Sequence, residues 1–167
     1  MLNIAQTLYD WCRAARPFAL ATVVDAPSSP GSALAVDLEG RAAGGIPGGC
    51  CVQEAVYETC VGLLRDGRGP ARTRLGPRPD DLPAVPRTGE RGVDVLVQRV
   101  EPAAQPYLLD ALDAVVLGRP AALAQVVDGP DDLLGRTLYV PGHGPHPRSL
   151  ETEHERHPPR AIVCHRT

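Results

Sequence analysis

The fold is organised by the stretch Gly44-Gly45-Ile46-Pro47-Gly48-Gly49-Cys50-Cys51-Val52-Gln53-Glu54. Its four glycines, its proline and its two adjacent thiols fall where a strand pattern ends and a helix pattern begins. The first N–H groups of a helix have no partner within the helix, and with the positive end of the helix dipole they favour bound anions. The same field lowers the pKa of a thiol in the first turn. This stretch, called here the thiol corner (residues 44–54), therefore predicts an anion-binding turn that presents sulfur.

An amphipathic helix follows the thiol corner. Apolar residues recur every three or four positions from Val52 to Leu64, and Gly67 suits the position just after the last turn. We therefore predict a helix over residues 51–65. The same periodicity predicts two further helices, over residues 3–15 and 103–117.

Residues 18–24 are apolar on both faces, which is typical of a central strand that is covered on each side. Short or alternating apolar runs bounded by glycine and proline predict the other strands, over residues 33–37, 41–46, 71–75, 93–98, 121–127 and 136–140. Together these elements predict a single α/β domain over residues 1–140. Its mixed sheet has residues 18–24 at the centre and is covered by the three helices. Residues 141–167, rich in proline and histidine, are predicted to form a flexible, poorly ordered tail.

The composition excludes several classes of partner. The net charge is −3, and no segment clusters the cations that nucleic-acid binding requires. The longest apolar run is too short to cross a bilayer, and the first residues lack the basic start of a signal peptide. The five cysteines lack the even spacing of a secreted disulfide framework. We therefore expect a cytoplasmic protein with reduced thiols that binds neither nucleic acid nor membrane.

Histidines and a cysteine are concentrated in the predicted tail, but their spacing does not indicate a metal centre. The motif His-Glu-x-x-His on a helix and the paired cysteines of a structural zinc site are both missing there. We therefore predict no metal site in the tail, whose candidate ligands are His143, His146, His154, His157, Cys164 and His165.

Four motifs occur in a fixed order along residues 1–140. They are Arg16-Pro-Phe-Ala-Leu-Ala-Thr-Val-Val24, the pair Ala26-Pro27 with Pro30-Gly-Ser-Ala-Leu-Ala-Val-Asp37, residues 44–56, and the strand from Gly92 to Val100. Their order and spacing resemble the N-terminal domain of the XdhC/CoxI family, which comprises accessory factors of xanthine dehydrogenase and carbon monoxide dehydrogenase. Residues 44–56 resemble the family signature Gly-Ser-Val-Ser-Gly-Gly-Cys-Val-Glu.

The resemblance implies a role in handling a cofactor. It implies an accessory protein or chaperone that binds the molybdenum cofactor (molybdopterin) and assists its sulfuration or its insertion into a molybdenum hydroxylase. The implied client is an enzyme like xanthine dehydrogenase or carbon monoxide dehydrogenase. A homologue that carries a Rossmann domain, or a second copy of this chain, is a further expected partner. We do not expect this chain to be an enzyme on its own.

The thiol corner departs from the family pattern at several positions. One extra residue at Cys50-Cys51 leaves open which of the two is the family cysteine, and Pro47 stands where the family has serine. The glutamate that follows Cys-Val in the family is Gln53 here, unless Glu54 takes its place.

Two further family features are changed. The second family motif, Thr-Cys-Gly-Gly, falls on Thr88-Gly89-Glu90-Arg91 and lacks its cysteine. We also expect no C-terminal Rossmann domain, because Gly142-His143-Gly144 lacks the third glycine and the helix of a dinucleotide-binding turn.

The candidate site is the thiol corner itself. Cys50 and Cys51 are the predicted reactive thiols, although buried packing of small apolar side chains remains an alternative for both. Cys12 and Cys60 lie on apolar helical stripes and are predicted to be buried. The predicted cofactor-binding residues are Gly45, Gly48, Gly49, Cys50, Cys51, Gln53 and Glu54. Two other functions stay open: a non-catalytic interaction or dimerisation module, and a thiol-based sulfur-transfer or redox protein.

Overall fold

The computed structural model describes residues 4–25, 31–76, 92–141 and 160–166. Its three α-helices are α1 (Ala5–Arg13), α2 (Cys50–Asp66) and α3 (Pro106–Val116), and a 3-10 helix (Pro102–Ala104) precedes α3. The three predicted helices are confirmed, but the predicted helix over 103–117 is divided into two parts. Gln105 has the non-helical angles φ −131° and ψ 59°. The proline that follows it disfavours the helical conformation at that position.

Eight strands form two sheets in the described part of the chain. The strands are β1 (Phe18–Asp25), β2 (Ala33–Asp37), β3 (Ala42–Gly44), β4 (Ala71–Leu75), β5 (Val93–Val100), β6 (Ala121–Asp128), β7 (Thr137–Pro141) and β8 (Arg160–Arg166). The larger sheet has the order β3-β2-β1-β5-β4, and the smaller has the order β7-β6-β8. The α/β class and the central position of β1 are therefore confirmed.

Strand direction differs from the mixed sheet that the sequence leads us to expect. Every pairing among the described strands is antiparallel. Helix α2 links β3 at one edge of the larger sheet to β4 at the other edge, so it does not place two parallel strands side by side. Strand β1 is apolar on both faces because helices cover both faces of the sheet, and parallel neighbours are not needed to explain its composition.

Side chains of β1 alternate between two apolar clusters. Phe18 and Leu20 join the cluster that contains α1 and α3, whereas Ala19, Ala21 and Val23 join the cluster that contains α2. This alternation follows from the two-residue repeat of a strand. Among the described helices, α2 is the one that packs on this face of the larger sheet, and its apolar stripe is directed at the centre of that face. The buried members of this stripe are Val52, Val56, Cys60, Leu63 and Leu64.

A buried carboxylate holds the hairpin between β2 and β3. The side chain of Asp37 is 0% exposed, and its Oδ2 accepts hydrogen bonds from Arg16 Nη1 at 3.0 Å and Arg41 Nε at 2.7 Å. Its Oδ1 accepts hydrogen bonds from the backbone N–H groups of Glu39 at 3.0 Å and Arg41 at 2.9 Å. Because Arg16 lies just beyond α1, one side chain connects the hairpin turn to that helix.

Strand β8 lies within the segment predicted to be a tail. It pairs with β6 through the register Leu123↔Cys164, a strand that the sequence analysis does not predict. Its apolar run is only a few residues long and has charged neighbours, so the period-two signal is weak. Residues 142–159, with four of the histidines considered above, lie outside the described residues. The domain boundary at residue 140 stays a prediction. Among the helices of the described part, none is long and apolar enough to span a bilayer.

Candidate functional site

The thiol corner leaves the edge of the larger sheet at β3 and enters α2. Two apolar side chains hold it in place, because Ile46 and Val52 are 6% and 8% exposed and both belong to the cluster beneath α2. Gly44 brings the chain unusually close to β2: a Cβ added there would lie 2.2 Å from the carbonyl oxygen of Ala33. The corner therefore depends on one residue without a side chain and on two buried apolar contacts.

Two glycines turn the chain into the helix. Gly48 and Gly49 have φ values of 119° and 86°, a region that residues with a Cβ rarely adopt. Gly48 packs on Val52, whereas a Cβ added to Gly49 would meet nothing within 4 Å. The space beside Gly49 is thus open, and the helix begins there without a side-chain cap.

The start of α2 offers backbone donors. Gln53 N–H donates to the carbonyl oxygen of Gly49 at 3.1 Å, which is the first intrahelical bond. The N–H groups of residues 50–52 have no backbone acceptor among the described residues, as expected for the first turn of a helix. Gly45 differs, because its N–H already donates to the carbonyl oxygen of Ala33 at 3.0 Å. The Gly45 N–H is therefore not available to a ligand. Gly45 would contribute to binding only through the space that its absent side chain leaves.

Both thiols of the corner are exposed, and their Sγ atoms lie 3.9 Å apart. The alternative of buried packing does not apply to Cys50 or Cys51. It does apply to Cys12 and Cys60, as predicted, and burial raises the pKa of these thiols to about 11 and about 12. The chain thus separates two inert thiols in its core from two accessible thiols at a helix start.

The pKa of Cys51 moves in the direction opposite to the expected one. The sequence analysis predicts that the helix field lowers it, but it is raised above its ordinary value, first by the hydrogen bond with Cys50 and next by the electrostatic interaction with Cys50. Glu54 adds a smaller contribution of the same sign. The backbone N–H of Cys51 lowers the pKa through a hydrogen bond to the sulfur, but the thiol of Cys50 at 3.9 Å outweighs it.

Replacing Cys50 by alanine is expected to lower the pKa of Cys51, since the two leading causes of the upward shift are removed. The measurement is the rate of iodoacetamide alkylation of Cys51 against pH, followed by peptide mass spectrometry. The midpoint of this titration should fall in Cys50→Ala and fall less in Glu54→Gln. An unchanged midpoint in Cys50→Ala would show that the two thiols do not interact in solution.

The thiol corner lies at one end of the larger sheet. At this end, called the loop end, β1, β3 and β4 finish and β2 and β5 begin. Val23 N–H donates to the carbonyl oxygen of Ser32 at 2.8 Å, which closes the loop between β1 and β2 beside the start of β2. Because Gly45 N–H bonds to the carbonyl oxygen of Ala33, the start of β2 and the corner are neighbours.

The long connection between β4 and β5 also starts and finishes at the loop end. A Cβ added to Gly76 would lie 3.0 Å from Gly92 Cα and 3.8 Å from Val52 Cγ2. The two ends of this connection therefore meet beside the first turn of α2. The sequence analysis does not include Gly76 or Gly92 among the site residues. The glycine at each end of the proline-rich connection is the sequence signal that could have identified them.

The comparisons with known proteins agree with this geometry. The XdhC and CoxI family matches the segment that runs from the last turns of α1 to the end of β4. Residues 11–75 match the model of the XdhC and CoxI family. The resemblance recognised in the sequence is therefore confirmed, and the XdhC/CoxI segment contains the whole thiol corner and the loop between β1 and β2.

A crystal structure described as a xanthine dehydrogenase from Bacillus halodurans is similar to this chain in fold. The match has a TM-score of 0.61 and 15% sequence identity, and it covers 95% of this chain. It covers 52% of that chain, so the present chain spans about half the length of the solved structure. No curated protein matches this chain.

The remaining predicted site residues lie on the first turn of α2 in the XdhC/CoxI segment. Gln53 and Glu54 are both exposed. Gln53 Oε1 lies over Gly45, at 3.3 Å from the position of an ideal Cβ on that glycine. Their part in binding stays a prediction, as does that of the three glycines. The variant XdhC/CoxI motif at residues 88–91 lies outside the described residues.

Proposed function

We propose that this chain is an accessory factor in the maturation of molybdenum hydroxylases and that it binds the molybdenum cofactor at the thiol corner. One observation carries the proposal: two exposed thiols and three N–H groups without backbone acceptors among the described residues lie together at a helix start, inside the segment that matches the XdhC and CoxI family. Sulfur and anion-binding donors are the two groups that such a cofactor needs.

The residues of the corner fit the chemistry of molybdopterin. Its phosphate is an anion, and the N–H groups of residues 50–52 at the positive end of α2 are suited to hold it. The thiols of Cys50 and Cys51 are soft ligands for the molybdenum side. Gly49 leaves open space at the corner, because among the described residues nothing beyond its own chain neighbours lies within 4 Å of a Cβ placed there. When bound, the cofactor supplies the redox and sulfur chemistry that the client enzyme uses.

The proposed partner is a molybdenum hydroxylase like xanthine dehydrogenase or carbon monoxide dehydrogenase, which receives the cofactor. The family match supports this choice of client. The cofactor must be released to the client, and an exposed site at the loop end suits release better than a closed pocket. We propose that a second copy of the chain, or a homologue with a Rossmann domain, takes part in the transfer.

Molybdopterin retention tests the proposal. We expect purified wild-type protein to keep about one equivalent after gel filtration, and Cys50→Ser/Cys51→Ser to bind at least about 10-fold more weakly, because both soft ligands are lost. The single variants Cys50→Ser and Cys51→Ser should lie between them. Glu58→Gln, an exposed change farther along α2, is the matched control and should bind as wild type does. Equal retention by all variants, or none by wild type, would contradict the proposal.

The two other functions differ in their support. A non-catalytic interaction module is favoured by Gly89, which stands where the second family motif has cysteine. It would be supported if wild type binds the client enzyme but retains no molybdopterin. A redox or sulfur-transfer protein requires an acidic thiol, and the raised pKa of Cys51 does not favour that function.

A further inference from the structure

The two sulfur atoms of the thiol corner converge although consecutive residues of a helix normally diverge. Successive side chains on an α-helix point about 100° apart, so neighbours in sequence do not face each other. Cys50 and Cys51 nevertheless place their Sγ atoms 3.9 Å apart, with both side chains exposed. They follow Gly49, whose φ of 86° sets the direction in which the helix begins.

We infer that Cys50 and Cys51 act together as a bidentate dithiolate that binds one thiophilic metal or metalloid centre, and that this centre keeps further ligands of its own. The inference deepens the proposed function, on which it rests for its biological cargo, by assigning both sulfurs to one centre. It also answers which cysteine of the pair is the functional one: both are.

The sulfur separation fits a shared centre. With metal–thiolate bonds of about 2.3 Å, two sulfurs 3.9 Å apart subtend an angle of about 115° at the metal, close to the tetrahedral value. A disulfide needs about 2.05 Å between the sulfurs, so the pair would have to close by almost half of its separation. The two sulfurs are therefore spaced to bind the same central atom rather than each other.

The surroundings of the pair indicate the class of guest. Among the described residues, no group of three or more histidine, cysteine, aspartate or glutamate side chains is close enough together to hold a metal ion. A structural zinc ion takes four protein ligands, so two thiols do not make such a site. They suit a centre with two exchangeable positions, such as an oxo-metal complex or trivalent arsenic. The open space beside Gly49 leaves room for the ligands that such a centre brings.

Phenylarsine oxide is a probe for this arrangement. Its arsenic forms two As–S bonds, the two S–H protons combine with the oxygen that leaves arsenic as water, and no atom changes its oxidation state. A single thiol forms one such bond and releases it readily to other thiols. Retention in the presence of excess monothiol therefore reports two sulfurs that act on one centre.

The experiment uses the full, reduced chain with one equivalent of phenylarsine oxide and excess 2-mercaptoethanol. Intact-mass spectrometry should show one phenylarsenic group in place of two protons on wild type, and 2,3-dimercaptopropanol should remove it. Cys50→Ser and Cys51→Ser should each bind at least about 100-fold more weakly, because the second bond of a chelate forms at high effective concentration. Cys164→Ser is the matched control and should behave as wild type does. Circular dichroism establishes that each variant is folded.

Equal retention by wild type and either single variant, or loss of arsenic from wild type to monothiol alone, overturns the inference. Comparing arsenic chelation with molybdopterin retention distinguishes failure of this inference from failure of the proposed function. If wild type chelates arsenic but retains no molybdopterin, the dithiolate stands and its cargo is another centre. If molybdopterin is retained but arsenic is not chelated, the proposed function stands and the shared centre does not.

Discussion

Gly44→Ala is expected to lower the free energy of unfolding by about 3–5 kcal/mol, the largest effect of a single methyl group that we predict. Two costs add at this position. Gly44 has a φ of 92°, which strains any residue with a Cβ, and the new methyl group would lie 2.2 Å from the carbonyl oxygen of Ala33 and 2.9 Å from Ile4 Cγ2. A backbone oxygen in a paired strand cannot move aside as a flexible side chain does. Urea denaturation of the two proteins measures the difference.

Gly49→Ala is the matched control for this prediction. Gly49 also has a positive φ, at 86°, but a Cβ there would meet nothing within 4 Å. Its cost should be limited to backbone strain, about 1–3 kcal/mol, and should stay below that of Gly44→Ala because the steric term is missing. Equal losses in the two variants would show that Gly44 does not approach β2 as closely as described, and that the corner is held in another way.

Asp37→Ala is expected to lower the free energy of unfolding by about 3 kcal/mol. The change removes a buried carboxylate that accepts four hydrogen bonds, and it leaves two backbone N–H groups of the hairpin turn without an acceptor. The loss should lie at the low end for a buried charged network, because Arg16 and Arg41 are 30% and 51% exposed and are able to reach water. Thermal or urea denaturation measures it.

Glu39→Gln tests whether burial determines this effect. Glu39 also pairs with Arg41, at 2.9 Å, but its side chain is 66% exposed. A surface ion pair of this kind is worth at most about 1 kcal/mol. A Glu39→Gln loss as large as that of Asp37→Ala would mean that the whole charged cluster, and not the buried carboxylate, holds the hairpin.

Much of the fold was predictable because its elements carry strong local patterns. The predicted strand over residues 71–75 has the bounds of β4, and α2 differs from its predicted range by one residue at each end. Gly67, predicted to follow the last turn of α2, has the left-handed conformation with a φ of 65°. These features depend on residues that are near one another in sequence, where periodicity and turn chemistry act directly.

The features that were missed depend on contacts between distant residues. Periodicity gives no information on strand direction, so it could not predict the antiparallel pairing of β1 with β5. Strand β8 exists through its pairing with β6 and has little signal of its own. The same limit applies to the site. The thiols at a helix start were predicted, but the raised pKa of Cys51 depends on how close the Cys50 sulfur lies, which is set by side-chain geometry.

The two apolar clusters lie on opposite faces of the larger sheet, and the thiols are carried by the helix of only one of them. Substitutions that repack α1 against α3 should therefore reach α2 through the sheet between the clusters and through the contact of Ile4 with Gly44. The outer surface of α1 and α3 can therefore change while the helix start that presents sulfur keeps its own packing.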